Sequence, residues 1–483
     1  MQKKESDISI SYQLALDNFD FVKTVDNQVY FYSKKNKKAL YPLRSKEFFD
    51  YLRMIFLQKT QRFVSSHVIK ECVENLDAIQ LIKITKQTKV YTRIAHLDNE
   101  IYIDLNNSKA PFVKINSQGW TLVDTTPIVF NRSKVMQPLP APLKGGTIEQ
   151  LNEILNMEYE DFYMLVAFIL GTFMPPSSYP ILYLQGSEGS GKSTLTKFIK
   201  KIIDPSKIDS LSISSKEDDM LMSANSQHLL AFDNISNLSR EKSDWLCKLT
   251  TGSSLSKRKL FEDFEQFYIS LTKPILINSI EYIGREDFLS RCLFIRLERR
   301  NLNTYKSLNS LNNLLTAYHP YILGAIFDLL SFALRNKKEN EFNKYATRLV
   351  DFESWIYSIE PALNISKGTF QKILKKNLVT KNENALEANL FPRLIISIIK
   401  EKGNYLEVTP TDLYKLLIEQ SIKDFGIQSR VNIPAPNKIK NLLERSEALL
   451  GSFGTNISYH RTSKERKIIL TCDSNDGYDT FDK

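Results

Sequence analysis

Nine consecutive residues, Gly186-Ser187-Glu188-Gly189-Ser190-Gly191-Lys192-Ser193-Thr194, spell G-x-x-x-x-G-K-S between the apolar run ILYLQ and the helical run KSTLTKFIKKII. Glycines there let backbone N–H groups turn inward on phosphate oxygens, and the start of the following helix adds positive potential. Lys192 can then reach the β- and γ-phosphates, and Ser193 can ligate Mg²⁺. A glycine-rich surface turn shares the composition but not the context, so the segment predicts a nucleotide-binding P-loop.

Three further positions fit the chemistry of phosphoryl transfer. Asp233 closes the apolar run HLLAFD. Alone it would cap a strand; downstream of a P-loop it predicts a carboxylate in the Mg²⁺ shell beside Ser193. Asn278 ends the run PILINS, where a polar sensor would orient the attacking water; the alternative is a buried asparagine satisfying backbone groups. Arg291 stands immediately before the run CLFIRL, suited to face a neighbouring subunit's nucleotide as an arginine finger. Arg285 is a second candidate, and an ion pair with Asp287 or Glu286 suits it better than Arg291.

These residues need a scaffold. The runs ILYLQ, KIDSL, HLLAFD, PILINS and CLFIRL alternate with helical patterns, which predicts an α/β core on five parallel strands. Residues 1–140 mix helical and strand-like stretches (KVYTRIAHL, EIYIDL, PFVKI) as an N-terminal α+β domain, closed by the Pro-rich linker QPLPAPLKGG. The core occupies 141–300 and a helical lid or connector 301–384. Residues 385–483 read as helix, helix, helix and β-ribbon, the order of a winged helix-turn-helix.

Composition narrows the class. A chain of 483 residues, 42% of them hydrophobic, can bury several cores. Its formal charge of +10 suits a polyanionic partner or a merely soluble basic protein. Cys72, Cys247, Cys292 and Cys472 are scattered without metal-ligand spacing, which fits a reducing cytoplasm rather than a disulfide framework or zinc site. The N-terminus lacks the apolar core of a signal peptide. The apolar run from Phe162 to Phe173 stops at Pro175, short of the ~20 residues of a membrane span, and predicts a buried helix.

Candidate DNA contacts fall in two places. SKRKLF and QFYISL, between Asp233 and Asn278, read as a β-hairpin whose Lys257 and Lys259 share one face while Arg258 takes the other. They suit phosphate contacts with single strands; a solvated basic edge is the alternative, with Glu262 and Asp263 at the tip. Near the C-terminus, PNKIKNLLERSEALL presents Lys438, Lys440 and Arg445 as a recognition helix, and the ribbon adds Arg461, Lys464, Arg466 and Lys467. Such a module binds duplex DNA or docks proteins.

Together the P-loop, the Asp233-Asn234 pair, SDWLCKLTTGSSLSKRKLFEDFEQ, KPILINSI and REDFLSRCLFIRL resemble the AAA+ domain of superfamily-3-like helicases. The nearest likeness is to replication initiator helicases of phages and staphylococcal pathogenicity islands, and to related bacterial primase-helicase proteins. It extends to IYIDLNNSKAPFVKINSQGW and MQPLPAPLKGG before the loop, and to HPYILGAIFDLL and TRLVDFESW after it; the C-terminal module matches in architecture rather than motif. The resemblance implies an ATP- and Mg²⁺-dependent helicase, a homo-oligomeric hexameric ring moving 3′ to 5′, that loads at a duplex origin and unwinds it to single strands. Asn234 stands where many AAA+ proteins carry the glutamate that activates water, which leaves Glu188, Asp233 or a neighbouring subunit open as the base. Residues 1–140 hold no paired-carboxylate metal motif, so priming is expected from a host primase among other host replication proteins.

Overall fold

The computed structural model describes residues 6–25, 27–34, 40–175, 177–214, 217–236, 238–252, 254–258, 266–299, 307–336, 345–426, 433, 435–461 and 466–473, with the backbone alone for 217–218, 254–258, 266–270 and 425. The chain divides into two units, Met1–Ile280 with Ile295–Ile373 and Glu281–Phe294 with Leu374–Lys483.

The first unit opens with α1 (Asp7–Asn18), β1 (Phe19–Thr24), β2 (Val29–Ser33), β3 (Tyr41–Pro42), α2 (Lys46–Thr60), α3 (Ser66–Lys83) and β4 (Gln87–Thr88). Ser6 and Ser65 begin α1 and α3 by accepting the backbone N–H groups of Ser9 and Val68, relieving donors that have no partner within the helix. Phe48, Leu52 and Phe56 recur at helical spacing on α2 and join Phe19, Phe31 and Leu76 in a core of their own. The strand order is β3-β2-β1-β4.

Next come β5 (Val90–Tyr91), β6 (Ile94–Leu97), β7 (Glu100–Asp104), β8 (Phe112–Asn116), β9 (Gly119–Val123) and β10 (Val129–Phe130), of which β6 to β9 form an antiparallel meander. The run KVYTRIAHL is therefore two strands. Arg93 breaks it by taking a left-handed backbone, φ +65°, and sends a fully buried guanidinium to the Asp204 carboxylate at 3.0 Å and to the carbonyls of Asp104, Gln137 and Pro205. The Pro-rich stretch that follows is a packed strap: Leu143 donates its N–H to Pro320 O at 2.9 Å. A side chain on Gly324 would collide with the Leu143 carbonyl, so close is the approach.

In chain order there follow α4 (Glu149–Leu155), α5 (Tyr159–Gly171), β11 (Ile181–Gly186), α6 (Lys192–Ile203), α7 (Glu217–Ser226), β12 (Leu230–Phe232), α8 (Arg240–Thr251), β13 (Ser254–Arg258), β14 (Gln266–Ser270), β15 (Ile275–Ser279), α9 (Glu286–Leu289), β16 (Cys292–Leu297), α10 (Leu308–Asn336), α11 (Val350–Ile359) and α12 (Thr369–Ala388). α5 is the buried helix expected from its apolar run. The sheet order is β12-β15-β11-β16, with β15 parallel to both β11 and β12. Four strands form where five runs suggest them. KIDSL supplies only a parallel bridge from Leu211 to Phe232, because its Lys, Asp and Ser do not suit a pleated, half-buried surface. β13 and β14 pair antiparallel between β12 and β15, matching Lys257 with Phe267 and Arg258 with Gln266.

Among the described residues only α10 is long and apolar enough to cross a membrane, and 67% of its apolar window is already buried in the fold. Trp120, Asn116 and Ser117 of the meander bond to its Asp328, Ser331 and Arg335.

The second unit carries α9, the start of β16 and most of α12, then α13 (Leu390–Glu401), β17 (Tyr405–Val408), α14 (Pro410–Phe425), α15 (Pro436–Ser452), β18 (Thr455–Arg461) and β19 (Arg466–Cys472). ALEANLFPRLIISIIKEK, one helix by periodicity, is split at Asn389, whose backbone is extended. Pro392 then falls in the first turn of α13, where its missing N–H leaves no broken bond. The antiparallel order is β17-β19-β18, and Leu394, Ile398, Leu413, Leu417, Leu443 and Leu470 belong to one core.

Candidate functional site

β11 ends at Gly186 and α6 begins at Lys192, so the turn between them must fold within five residues. Gly189 and Gly191 adopt φ +76° and +90°, a left-handed region that side chains resist. Gly186 has a different reason: a Cβ there would stand 2.4 Å from the Leu297 carbonyl oxygen. Ser187 and Glu188 are exposed and Thr194 is half-buried. Ser190 is buried, and its hydroxyl has no hydrogen-bond partner among the described residues.

Lys192 is buried and donates to the carbonyls of Gly186 at 2.7 Å and Ser187 at 2.8 Å. Burial lowers its pKa, while the charges of Asp233 and Glu188 work in the opposite sense. Ser193 Oγ donates to Asp233 Oδ1 at 3.2 Å across 40 residues of sequence. These two hard oxygens at the mouth of the loop fit a small oxygen-preferring cation such as Mg²⁺. The unpartnered Ser190 hydroxyl and the Lys192 ammonium are donors of the kind a phosphate accepts. A cavity of about 510 Å³ adjoins the loop, lined in part by Asn156, Met157, Thr194, Phe198, Leu297 and Leu308, a volume suited to a small organic ligand.

The sequence admits Asn278 either as a polar sensor or as a buried asparagine satisfying backbone groups, and its side chain is bonded within the protein. It is fully buried, its Oδ1 accepts from Asn234 N at 2.7 Å and its Nδ2 donates to Thr196 Oγ1 at 3.0 Å. Asn234 itself holds φ +56° and an exposed side chain. The structure thus brings Lys192, Ser193, Asp233, Asn234 and Asn278 into one cluster. Thr196 belongs to it too and was missed, since a threonine inside an amphipathic helix carries no signal of its own.

Arg291 lies in the second unit, and there the ion pair expected of Arg285 falls to Arg291, 3.6 Å from Asp287 one helical turn before it. Its Nε is buried without a hydrogen-bond partner among the described residues. Lys381, from α12, donates to the carbonyls of Leu289 at 3.0 Å and Cys292 at 2.8 Å, on either side of Arg291. Glu286 accepts the N–H of Leu449 on α15.

The basic residues of the C-terminal module are unequal. Lys438, Lys440 and Arg445 are exposed on α15, but Lys440 lies 3.5 Å from Glu444 and 5.1 Å from the centre of the Tyr459 ring. Arg461 and Arg466 are exposed and paired across the ribbon. Lys467 is tied to Glu407 at 3.0 Å. Lys259 and Lys464 lie outside the described residues, and for Lys257 and Arg258 only the backbone register is described.

The fold is mixed α/β, with this polar cluster at the ends of the parallel strands β11, β12 and β15. Residues 148–368 match the family described as the actinomycete integrative conjugative element replication protein. The resemblance to mobile-element replication proteins is met in that stretch. A comparison with curated proteins finds no match. Among solved structures, the C-terminal region of NrS-1 is 12% identical, with 97% of this chain and 100% of that one covered and a TM-score of 0.42. The SCCmec type IV Cch helicase is 11% identical over 94% and 93%, with a TM-score of 0.46. The JCV helicase is 16% identical over 48% and 72%, with a TM-score of 0.22.

Proposed function

We propose that this protein is an ATP-dependent DNA helicase that assembles as a ring on DNA and starts replication of a mobile element by binding and unwinding its origin. The observation that carries the reading is the meeting of Ser193 and Asp233 at 3.2 Å beside Lys192, within the stretch that matches a replication-protein family. ATP would bind with its phosphates on residues 186–194, and Mg²⁺, held by Ser193 and Asp233, would offset their charge. Lys192 exchanges its loop carbonyls for phosphate oxygens. Arg291 serves a neighbouring subunit's nucleotide, and residues 254–270 supply the strand-contacting hairpin. The C-terminal unit, with its helix-strand-helix-helix-strand-strand order, acts as a winged helix on duplex DNA.

An ATP-switched DNA-binding regulator would share the nucleotide site and the C-terminal unit but has no use for a hairpin between β12 and β15. Strand displacement on forked substrates with 3′ or 5′ tails, alongside ATPase rates with and without DNA, tests the reading. Unwinding that needs ATP supports it. DNA-stimulated hydrolysis without strand displacement favours the regulator.

A further inference from the structure

We propose that Thr196 and Asn278 form a strut that fixes the separation of Ser193 and Asp233 and thereby builds the cation site of the loop. The proposal rests on the nucleotide reading and adds two positioning residues to it.

Ser193 and Thr196 are three residues apart on α6, so they lie on one face of the helix, a turn apart. Asp233 comes from the other side, at the end of β12, and the next residue is held in a left-handed turn. Asn278 spans the gap between them. Its Nδ2 donates to Thr196 Oγ1 at 3.0 Å, its Oδ1 accepts the Asn234 N–H at 2.7 Å, and its carbonyl accepts the Ile235 N–H at 3.0 Å. Thr196 and Asn278 are both fully buried, where water cannot replace a lost partner. The amide has one productive orientation, oxygen toward the turn and nitrogen toward the helix. It therefore holds the turn that presents Asp233 at a set distance from the helix that presents Ser193.

These bonds use one of the two Nδ2 hydrogens and one of the two Oδ1 lone pairs, so direct contact with the nucleotide is a distinct alternative role for Asn278. The two roles separate at Thr196, whose buried side chain has no exposed path to nucleotide. If Asn278 acts only through contact with the nucleotide, removing the Thr196 hydroxyl changes little. If it is a strut, that removal loosens the cation site.

The test is Thr196→Val, which removes the hydroxyl at nearly constant volume, with Thr196→Ser as the conservative variant that keeps it. Binding of a fluorescent, non-hydrolysable ATP analogue is titrated against Mg²⁺ and repeated in chelator, with thermal melting of each protein. Thr196→Val is expected to raise the Mg²⁺ concentration for half-maximal binding by about tenfold, the usual effect of losing a partner behind a metal ligand, and to leave binding in chelator unchanged. Thr196→Ser should stay within about twofold of the unaltered protein. Thr196→Ala carries the same expectation as valine should the valine variant fold poorly. A Mg²⁺ dependence identical to the unaltered protein overturns the strut, as does an equal loss with and without Mg²⁺. Absence of any nucleotide binding by the unaltered protein instead overturns the nucleotide reading on which the strut depends.

Discussion

The Lys192 ammonium lies 2.7 Å from the carbonyl oxygen of Gly186, so the loop's own backbone holds the charge that the proposed reaction assigns to phosphate. Bonds to neutral carbonyls can be exchanged for stronger, charge-assisted bonds to phosphate. Lys192→Ala and Asp233→Ala should each lower ATP hydrolysis by at least about a hundredfold, since each removes a group proposed to act on the transferring phosphoryl. Circular dichroism melts of both variants should remain cooperative. Retained phosphate release in both purified variants would place the site elsewhere.

Arg291 supplies a second expectation, because the carbonyls on either side of it are held by one ammonium. Lys381 is buried, and burial depresses its pKa to about 8. Arg291→Ala should bind ATP and fail to hydrolyse it, and mixing it with Lys192→Ala should restore part of the activity where an intact arginine meets an intact loop. Lys381→Met should impair hydrolysis in the same way by freeing the segment, with nucleotide affinity retained. The decisive reading is phosphate release from mixed oligomers confirmed by native mass spectrometry; no recovery on mixing would make Arg291 a structural partner of Asp287.

The glycine spacing, the apolar alternation and the hairpin were legible because each is written in adjacent residues. What escaped the sequence depends on contacts between distant ones. Leu211 forms only a bridge because its neighbours suit solvent. Arg93 breaks a strand to reach Asp204, 111 residues away. Thr196 and Asn278 are 82 residues apart and meet only when α6 packs on β15. The four-residue strand β17 is too short to declare itself by alternation, and pairing with β19 defines it.

His228 makes the fold sensitive to acid. It is buried, its Nε2 lies 2.9 Å from the Thr172 carbonyl, and burial, aided by the Lys273 charge, pushes its pKa down to about 3 from 6.5. A histidine whose pKa is lowered by folding binds more protons when unfolded. Stability should therefore be complete above pH 6.5 and decline as the pH falls toward 3, by at most about 1.4 kcal/mol for each unit of that interval. Asp204 adds to this at lower pH. Its burial opposes ionisation, but Lys200 and Arg93 outweigh it and hold the carboxyl well below its ordinary 3.8, so its contribution is lost as the pH drops below that value. In denaturant melts, His228→Gln should flatten the decline above pH 4, and an unchanged slope would assign it to other groups.

The ribbon of the C-terminal unit allows a final expectation that distinguishes among its cations. Removing residues 385–483 outright would also strip Leu449 from Glu286, just before Arg291, so lost activity in that truncation would not isolate DNA binding. Point substitutions do. Arg461 and Arg466 are exposed on facing strands, whereas the Lys467 ammonium is held by Glu407, whose pKa that pairing lowers. Arg461→Ala and Arg466→Ala should weaken binding to origin and random duplexes alike. Each should shrink the salt slope of log affinity by up to about 0.9, the value for one lost phosphate contact. Lys467→Ala should change that slope far less, because its charge is already compensated within the protein. Base preference should respond instead to Lys438→Ala and Arg445→Ala on α15, the helix proposed to read a groove. Binding titrations on origin and random duplexes at several salt concentrations separate these effects. An origin preference untouched by the α15 substitutions would move recognition to another part of the chain and leave this unit as a docking module for a protein partner.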